Sequence, residues 1–231
     1  MKRSVLNLLL ILMIAACSTS STEYRYPYGL QPANTLAAYQ QQVKDNPENE
    51  LIDLEYFIPG IVLDIRYATT NNFTAEQIYQ LPKAFARKPV AEALLKIQQA
   101  LQADGLGLKI YDAYRPYAAT VKFYEVYHDT TYVASPYRGS RHNRGCAVDL
   151  TLIQLDTGEE LKMPTSYDSF EEMAHADYPL QDEEALRNRE LLKAIMQQHG
   201  FKVYAAEWWH YDFIGWENFE LLDIPFEVLI K

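Results

Sequence analysis

Three side chains that can bind a metal ion lie in two separate stretches of the sequence. Asp149 is a carboxylate inside an otherwise apolar segment, and His142 precedes it by seven residues. A buried carboxylate is costly unless an opposite charge compensates it, and a cation would do so. His210 lies near the other end of the chain. Zinc accepts two imidazoles and a carboxylate, and a catalytic zinc keeps a further position for water. We therefore predict that His142, Asp149 and His210 bind one zinc ion.

Two further charged residues could take part in chemistry at such a site. Glu207 lies three residues before His210 and could take a proton from water and return it later. Because residues 207 and 210 would face opposite ways on a regular strand, we expect a turn or bulge there. Trp208 and Trp209 lie between Glu207 and His210 in the sequence, and both are expected to exclude water from the site. Arg115 follows a predicted strand, and its forked guanidinium suits an oxyanion or a carboxylate. In a peptidase it could hold the oxyanion that develops during attack.

Each of these residues also has a simpler interpretation. His142 and His210 could be structural histidines, Asp149 a turn or cap residue, and Arg115 part of a surface ion pair. Cys146 lies four residues from His142, which suggests a cysteine–histidine nucleophile, but a strand would point the two side chains apart. A buried, unreactive thiol is the preferred interpretation of this cysteine. The combination of two clusters with complementary ligands and a base at a fixed offset favours the metal site.

The spacing of apolar residues predicts the elements that position these side chains. Helical periodicity and glycine stops predict helices over residues 34–43, 89–103 and 182–199. Alternating or short apolar runs predict strands over residues 108–112, 146–155, 201–204 and 210–213, and extended chain with a turn over 54–67. Since strands and helices follow one another irregularly rather than in steady alternation, the sequence predicts an α+β fold instead of a doubly wound sheet.

The composition restricts the class of protein. The chain has 231 residues and a formal net charge of −10, with 48% hydrophobic and 13% aromatic residues. This apolar content excludes a disordered chain. The acidic balance argues against nucleic acid as the partner, because phosphates attract basic surfaces. The length fits one ordinary domain or two very small ones, and it leaves the oligomeric state open.

The N-terminus has the pattern of an export signal. Lys2 and Arg3 precede an apolar run of a dozen residues that is too short to span a bilayer. The run ends in Ala-Ala before Cys17, which resembles the lipobox of bacterial lipoproteins, although an ordinary secretory signal is the alternative. Ser18 after the cysteine resembles lipoproteins of the outer membrane. We expect a signal peptide at 1–16, acylated Cys17 and a tether at 17–28, and a single folded domain at 29–231.

A longer motif carries a resemblance to a known family. It consists of Ser140-x-His142-x-x-Gly145-x-Ala147-x-Asp149 together with Glu207-x-x-His210. This pattern resembles the D-alanyl-D-alanine dipeptidases of the vancomycin-resistance type. These belong to a zinc peptidase family that also includes D,D-carboxypeptidases and the hedgehog signalling fold. The resemblance extends over about residues 51–212 and implies hydrolysis of the D-Ala-D-Ala dipeptide with one zinc ion per subunit.

The resemblance also implies a fold and a role for each candidate residue. It implies a central antiparallel sheet flanked by helices, with a small closed pocket that admits a free dipeptide and rejects longer peptides. The implied roles are zinc binding for His142, Asp149 and His210, acid–base catalysis for Glu207, transition-state stabilisation for Arg115, binding of the dipeptide's termini for Ser140 and Asp168, and support beside the substrate for Tyr67 and Asp112.

Two departures from the family leave alternatives open. Cys146 stands where a serine or similar small residue is expected, which the site should tolerate. The export signal contrasts with the cytoplasmic resistance enzymes, so we expect a lipid-anchored enzyme on the periplasmic face of the envelope, at the outer membrane. The alternatives are a D,D-carboxypeptidase or peptidoglycan endopeptidase of the same family, and a non-catalytic zinc-binding lipoprotein of the cell wall.

Overall fold

The computed structural model describes residues 26–230, so the predicted signal peptide and Cys17 lie outside the described residues. The helices of this part of the chain are α1 (Leu36–Asp45), α2 (Leu54–Phe57), α3 (Lys88–Gln102), α4 (Tyr117–Val126) and α5 (Glu183–Gln198). Its strands are β1 (Leu51–Asp53), β2 (Val62–Leu63), β3 (Phe85–Arg87), β4 (Leu106–Asp112), β5 (Ala147–Gln154), β6 (Phe201–Tyr204) and β7 (Glu207–Phe213).

A five-stranded sheet with the order β2-β4-β5-β7-β6 lies at the centre. β2 runs parallel to β4, and the other neighbouring strands are antiparallel. β1 and β3 form a separate antiparallel pair. The predicted α+β class with a mainly antiparallel central sheet is therefore confirmed. The central strand β5 is buried on both faces, since every residue from Ala147 to Ile153 is buried.

The two long helices cover this sheet with the faces that the sequence predicted. α3 packs against β4 and β3 and buries an apolar stripe that includes Val90, Leu94 and Ile97. α5 packs against β5, β6 and β7 and buries Leu192 and Met196. Their bounds lie within one residue of the predicted ones, because helical periodicity and the glycine stops are local signals.

The segment 54–67 differs from the prediction of extended chain with a turn. It begins with the short helix α2, because the Asp53 side chain accepts hydrogen bonds from the backbone N–H groups of Glu55 and Tyr56 and caps the helix start. Only β2 within it is a strand. The sequence analysis also missed α4, which begins directly after Pro116.

The described part of the predicted tether contacts the folded domain. Tyr26 is 7% exposed, and its hydroxyl donates to Asp223. The Tyr28 ring makes edge contacts with the rings of Tyr124 and Tyr137. Among residues 26–230, no helix combines the length and the apolar character that crossing a bilayer requires.

Candidate metal centre and active site

One row of side chains runs across three neighbouring strands of the sheet. Asp149 on β5 is paired directly with His210 on β7. On the other side Asp149 is paired with Asp112 on β4, where a register shift after Ile110 brings the two aspartates into line. Since neighbouring strands lie about 4.8 Å apart, this register places the three side chains next to one another. The sheet therefore joins residues that are nearly a hundred positions apart in sequence.

His142 reaches the same place from a short turn before β5. The residues His142–Arg144 form one 3₁₀ turn, which Gly145 ends with a φ of 69°. A Cβ at Gly145 would lie 2.8 Å from Leu51 and 3.3 Å from the backbone nitrogen of Arg87. Glycine is thus required both for the left-handed conformation and for the close approach. The His142 side chain is 2% exposed.

Three ligand atoms form a nearly equilateral triangle at this point. Nε2 of His142 lies 3.1 Å from Nδ1 of His210 and 3.3 Å from Oδ1 of Asp149. The third side, from Nδ1 of His210 to Oδ1 of Asp149, measures 3.0 Å. Ligands at zinc–nitrogen distances of about 2.0–2.1 Å in a tetrahedron lie roughly 3.3 Å apart. The predicted ligands therefore converge with the separation that zinc requires.

The outward-facing ring nitrogens determine which atoms can bind a metal. Nδ1 of His142 lies 2.7 Å from the carbonyl oxygen of Ala113, which can only accept a hydrogen bond. Nε2 of His210 lies 3.0 Å from the carboxylate of Asp212. Both of these nitrogens donate, so in the neutral rings the lone pairs lie on the two nitrogens that face each other. Two lone pairs and the carboxylate of Asp149 then meet without a donor, and a cation fits this arrangement.

The pKa shifts of two of these side chains also indicate that the cluster favours a positive charge. Burial alone would lower the pKa of His210, but the carboxylates of Asp212 and Asp149 raise it well above its usual value. Burial alone would raise the pKa of Asp149, but His142 and His210 hold it well below its usual value. The raised pKa of His210 means that this cluster favours a positive charge, and a bound metal would supply it.

Glu207 begins β7 and faces the same cluster. Tyr204 on β6 is paired with Glu207 while Val203 is paired with Tyr211, so the register shifts between them. This confirms the predicted irregularity, and Glu207 Oε2 lies 3.8 Å from Nδ1 of His210. Burial, together with the nearby negative carboxylates, raises the pKa of Glu207 to about 8. A carboxyl group in this range can exchange a proton near neutral pH.

Arg115 is held beside the cluster by one carboxylate. Its Nε and Nη2 donate to Oδ2 of Asp112 at 2.9 Å and 2.7 Å. Tyr79 donates to the other oxygen of Asp112 at 3.0 Å. The Arg115 guanidinium also lies 4.7 Å from the Phe123 ring centre and 3.8 Å from Asp149 Oδ2. A fixed, buried cation therefore lines the pocket next to the candidate ligands.

A cavity of about 110 Å³ contains the candidate site. Ser140, Asp168 and Tyr67 line it together with the ligands, Glu207 and Arg115. Tyr67 donates to Oδ1 of Asp168 at 3.0 Å, whereas Asp168 Oδ2 is buried without a hydrogen-bond partner among the described residues. Burial and the charge of Asp149 raise the pKa of Asp168 to about 7.

Only one of the two tryptophans that are expected to exclude water from the site lines the cavity. Trp209 lines the cavity. Trp208 does not, because adjacent residues of a strand point to opposite faces. Its Nε1 donates instead to Oγ1 of Thr165 at 3.0 Å.

Cys146 is a free, fully buried thiol, as expected. Burial raises its pKa to about 12, so the nucleophilic thiolate is suppressed.

Residues 47–226 match the protein family described as D-ala-D-ala dipeptidase. The chain belongs to this peptidase family. It is 38% identical over 182 residues to the D-alanyl-D-alanine dipeptidase of Escherichia coli, covering 79% of this chain and 94% of the relative. It is 34% identical to the D-alanyl-D-alanine dipeptidase of Enterococcus faecium, covering 68% of this chain and 88% of the relative. The corresponding enzyme of Enterococcus faecalis is 33% identical, with 72% and 93% covered.

Family membership confirms the resemblance. The structure also shows hydrogen-bond partners of the candidate ligands that the motif did not include. Tyr167 donates to Oδ2 of Asp149 at 3.0 Å and so turns Oδ1 toward the histidines. Asp212 and the carbonyl of Ala113 orient the two imidazoles. Asp212 follows His210 by two residues on the same strand, and strand periodicity could have identified it. The contacts of Tyr167 and Ala113 depend on tertiary packing, for which the sequence carries no local signal.

Proposed function

We propose that this member of the dipeptidase family hydrolyses D-alanyl-D-alanine to two D-alanines with the help of one zinc ion. The observation that supports it most is the triangle of His142, Asp149 and His210, with Glu207 and Arg115 in the same small cavity. The names of three relatives that share most of their length with this chain favour the same substrate.

The zinc ion would be held by Nε2 of His142, Oδ1 of Asp149 and Nδ1 of His210. Bound there, zinc would polarise the scissile carbonyl and lower the pKa of water to about 7. The protein fixes the orientation of these ligands through Asp212, Tyr167 and the carbonyl of Ala113. Because these hydrogen bonds already orient the ligand side chains, little reorganisation is required when the metal binds.

Glu207 moves the proton in this scheme. Its ionised form takes a proton from the attacking water, and its neutral form then gives that proton to the leaving amine. Both forms are accessible because the pKa of Glu207 is raised to about 8. Arg115 contributes a fixed positive charge where the carbonyl oxygen becomes negative. Asp112 keeps the guanidinium in place throughout, since two of its N–H groups donate to one carboxylate oxygen.

Asp168, Ser140 and Tyr67 bind the dipeptide in this proposal. Oδ2 of Asp168 is buried and has no partner among the described residues, so it can accept from the substrate ammonium group. Tyr67 holds the other carboxylate oxygen. Ser140 already accepts from the N–H of His142 at 3.1 Å, and its hydroxyl proton remains for the substrate.

A dipeptide panel with metal analysis of the same sample tests this function. We expect the zinc-loaded protein to hydrolyse D-Ala-D-Ala faster than the L,D and L,L isomers. A chelator should abolish hydrolysis, and added zinc should restore it. Glu207→Ala should retain zinc yet turn over at least about a hundredfold more slowly, whereas Glu125→Ala, an exposed control, should match the wild type. Zinc binding without cleavage of any D,D-peptide would instead indicate a non-catalytic protein.

We further propose that the protein is a lipoprotein on the periplasmic face of the outer membrane. The basic Lys2 and Arg3, the apolar run and the Ala-Ala-Cys17-Ser18 sequence support this location. The wild type should incorporate labelled palmitate and sediment with outer membranes, and Cys17→Ser should do neither. Unchanged sedimentation of Cys17→Ser, without label in either protein, would contradict the lipid anchor.

A further inference from the structure

A basic groove adjoins the catalytic cavity and is more spacious than it. We use the name basic groove for the surface formed by Arg138, Arg141, Arg144 and Trp216, with the chain between them. Its volume is about 580 Å³, compared with about 110 Å³ for the catalytic cavity. The zinc peptidase chemistry described above uses none of these four side chains, so the groove requires another explanation.

Positive charge is concentrated in the basic groove although the whole chain carries a formal net charge of −10. Three arginines lie within seven residues, and no Asp or Glu is among the described residues that line the groove. The Arg138 guanidinium makes no hydrogen bond or ion pair within residues 26–230. Arg144 donates to the carbonyl of Phe219 but forms no ion pair in the same range.

Nearby carboxylates compensate this charge only in part. Asp212 lies 3.7 Å from Nε of Arg141 and is itself bonded to His210. Glu217 and Glu220 lie close enough to Arg144 to raise its pKa, but burial and the charge of Arg141 lower it, and the net direction is downward. An anion placed in the groove would therefore meet uncompensated guanidinium groups.

The basic groove is also rigidly built. The guanidinium groups of Arg141 and Arg144 both lie over the ring of Trp216, at 4.9 Å and 5.3 Å from its centre. Stacking on an indole restrains a guanidinium group while its N–H groups remain able to donate. Preorganised donors lose less entropy when a ligand binds.

The turn that carries Arg138 is fixed by backbone bonds. The carbonyl of Ser135 accepts from the N–H groups of Arg138 and Gly139 at 3.1 Å and 3.0 Å. Gly139 has a φ of 72°, and a Cβ there would meet Leu221 at 2.7 Å. The positive φ favours glycine at this position, and the turn that it allows places Arg138 in the groove with the other two arginines.

The basic groove and the catalytic cavity are continuous. Thr130, Ala134, Ser140 and Arg141 line both of them. Ser140 is buried at the junction, and its backbone N–H donates to Oδ1 of Asn143 at 2.7 Å. A peptide whose D,D-bond lies in the catalytic cavity can therefore continue along this shared wall into the groove.

We propose that the basic groove is a subsite for a carboxylate group on the peptide that occupies the catalytic cavity. Guanidinium groups recognise carboxylates through paired, charge-assisted hydrogen bonds, and three of them converge here. In contrast to the closed pocket that the resemblance implies, the substrate class would then include acidic peptides that extend beyond D-Ala-D-Ala. This inference rests on the proposed function, because it takes the catalytic cavity to be the place where peptides bind.

Binding of matched peptide pairs to the zinc-loaded full chain tests the subsite. One pair is Glu-D-Ala-D-Ala and Gln-D-Ala-D-Ala, and the other is D-Ala-D-Glu and D-Ala-D-Gln. Calorimetric titration in a Glu207→Gln background measures affinity without turnover. In at least one pair the acidic peptide should bind about tenfold more tightly than its amide counterpart, and the pair that shows this gives the direction of the peptide. Because Arg115 and the zinc ion in the catalytic cavity are also positive, the arginine variants below decide whether this preference comes from the groove.

Two variants and a matched control test whether the preference for the acidic peptide depends on the arginines of the basic groove. Arg138→Gln should reduce the preference for the acidic peptide at least threefold, and Arg138→Gln with Arg144→Gln should abolish it. Arg187→Gln removes an equal charge from an arginine whose side chain is 69% exposed on α5, and it should leave the preference unchanged. Thermal unfolding of each variant verifies that the domain is folded.

Several results would overturn the subsite. Equal affinities within both peptide pairs would do so, as would a preference that survives the double arginine substitution. A further such result is that inorganic phosphate alone binds as tightly as the acidic peptide and loses this affinity in Arg138→Gln. That result would show a site for free anions instead of a peptide subsite. Failure of the proposed function is distinguishable, since it would abolish D-Ala-D-Ala hydrolysis by the unmodified chain while these titrations still report binding.

Discussion

The carboxylate of Asp212 and the imidazole of His210 are hydrogen bonded at 3.0 Å on the same strand. This bond occupies Nε2, so His210 presents Nδ1 to the metal centre. His142 presents the opposite nitrogen, Nε2, because its Nδ1 donates to Ala113. Asp212 also lies near Arg141 of the basic groove, so one carboxylate joins the metal centre to the proposed subsite.

Asp212→Ala should weaken zinc binding about ten- to a hundredfold, because the imidazole of His210 loses the acceptor that fixes its tautomer and its orientation. Asp212→Asn should show a smaller loss, since an amide oxygen still accepts from Nε2. Competition with a chromophoric chelator measures both affinities. Asp177→Ala, which removes a carboxylate whose side chain is 83% exposed, is the matched control. Equal zinc affinity for Asp212→Ala and wild type would exclude this role.

The site could be predicted from the sequence because its residues lie in two short motifs. His142 and Asp149 flank a glycine turn, and the offset of Glu207 from His210 already required an irregular strand. That these clusters meet depends on the pairing of β5 with β7, which is a long-range contact. The sequence supported it only through the combination of ligand types and the family resemblance.

Other parts of the fold lacked a usable local signal. The four apolar-rich residues of α2 could equally belong to a short strand by their composition. The capping hydrogen bonds of Asp53 favour the helix instead. α4 carries apolar and aromatic residues on most of its surface, so no clear helical period marks it. The basic groove is visible in sequence only as three arginines, and Trp216 joins them through tertiary packing.

Arg115→Lys should reduce kcat about a hundredfold or more, the usual effect of removing one oxyanion donor. A lysine has a single nitrogen, which cannot donate twice to Asp112 and also reach the carbonyl oxygen of the substrate. Zinc content should not change, since Arg115 is 3.8 Å from the nearest candidate ligand, Asp149. Steady-state kinetics and metal analysis measure the two effects. Arg66→Lys, which keeps its ion pair with Asp64, is the control, and a kcat of Arg115→Lys within twofold of wild type would refute the role.

Asp168→Asn should raise the KM for D-Ala-D-Ala and remove the increase of KM below about pH 7. The ammonium group of the dipeptide stays charged below about pH 8, so the carboxyl group of Asp168 is the one that titrates. Because its pKa is raised to about 7 by burial and by Asp149, the wild-type KM should increase as the pH falls below that value. A bound metal ion would move this midpoint lower, since positive charge favours the ionised form.

Asparagine is the suitable replacement because residue 168 has a φ of 61°, a conformation that asparagine tolerates. Tyr67 can still donate to the amide oxygen, so the local structure is retained. KM measured from pH 5.5 to 8.5, a range of about one and a half units on each side of 7, compares the two proteins. A wild-type KM that does not vary in this range, together with an unaltered KM in the variant, would remove Asp168 from substrate binding.

Asn143→Ala should lower the free energy of unfolding by about 2–4 kcal/mol and also impair catalysis, because three buried partners lose their bonds at once. The Asn143 side chain accepts from the Ser140 N–H and donates to the Arg115 carbonyl and Thr120 Oγ1, at 2.7 Å, 2.9 Å and 2.8 Å. Urea unfolding of the metal-free protein gives the stability, and kcat of the zinc-loaded protein gives the effect on the site. Asn71→Ala, at an exposed position, should change neither quantity. A stability loss without any change in kcat would mean that Asn143 supports the fold but does not position Ser140 and Arg115.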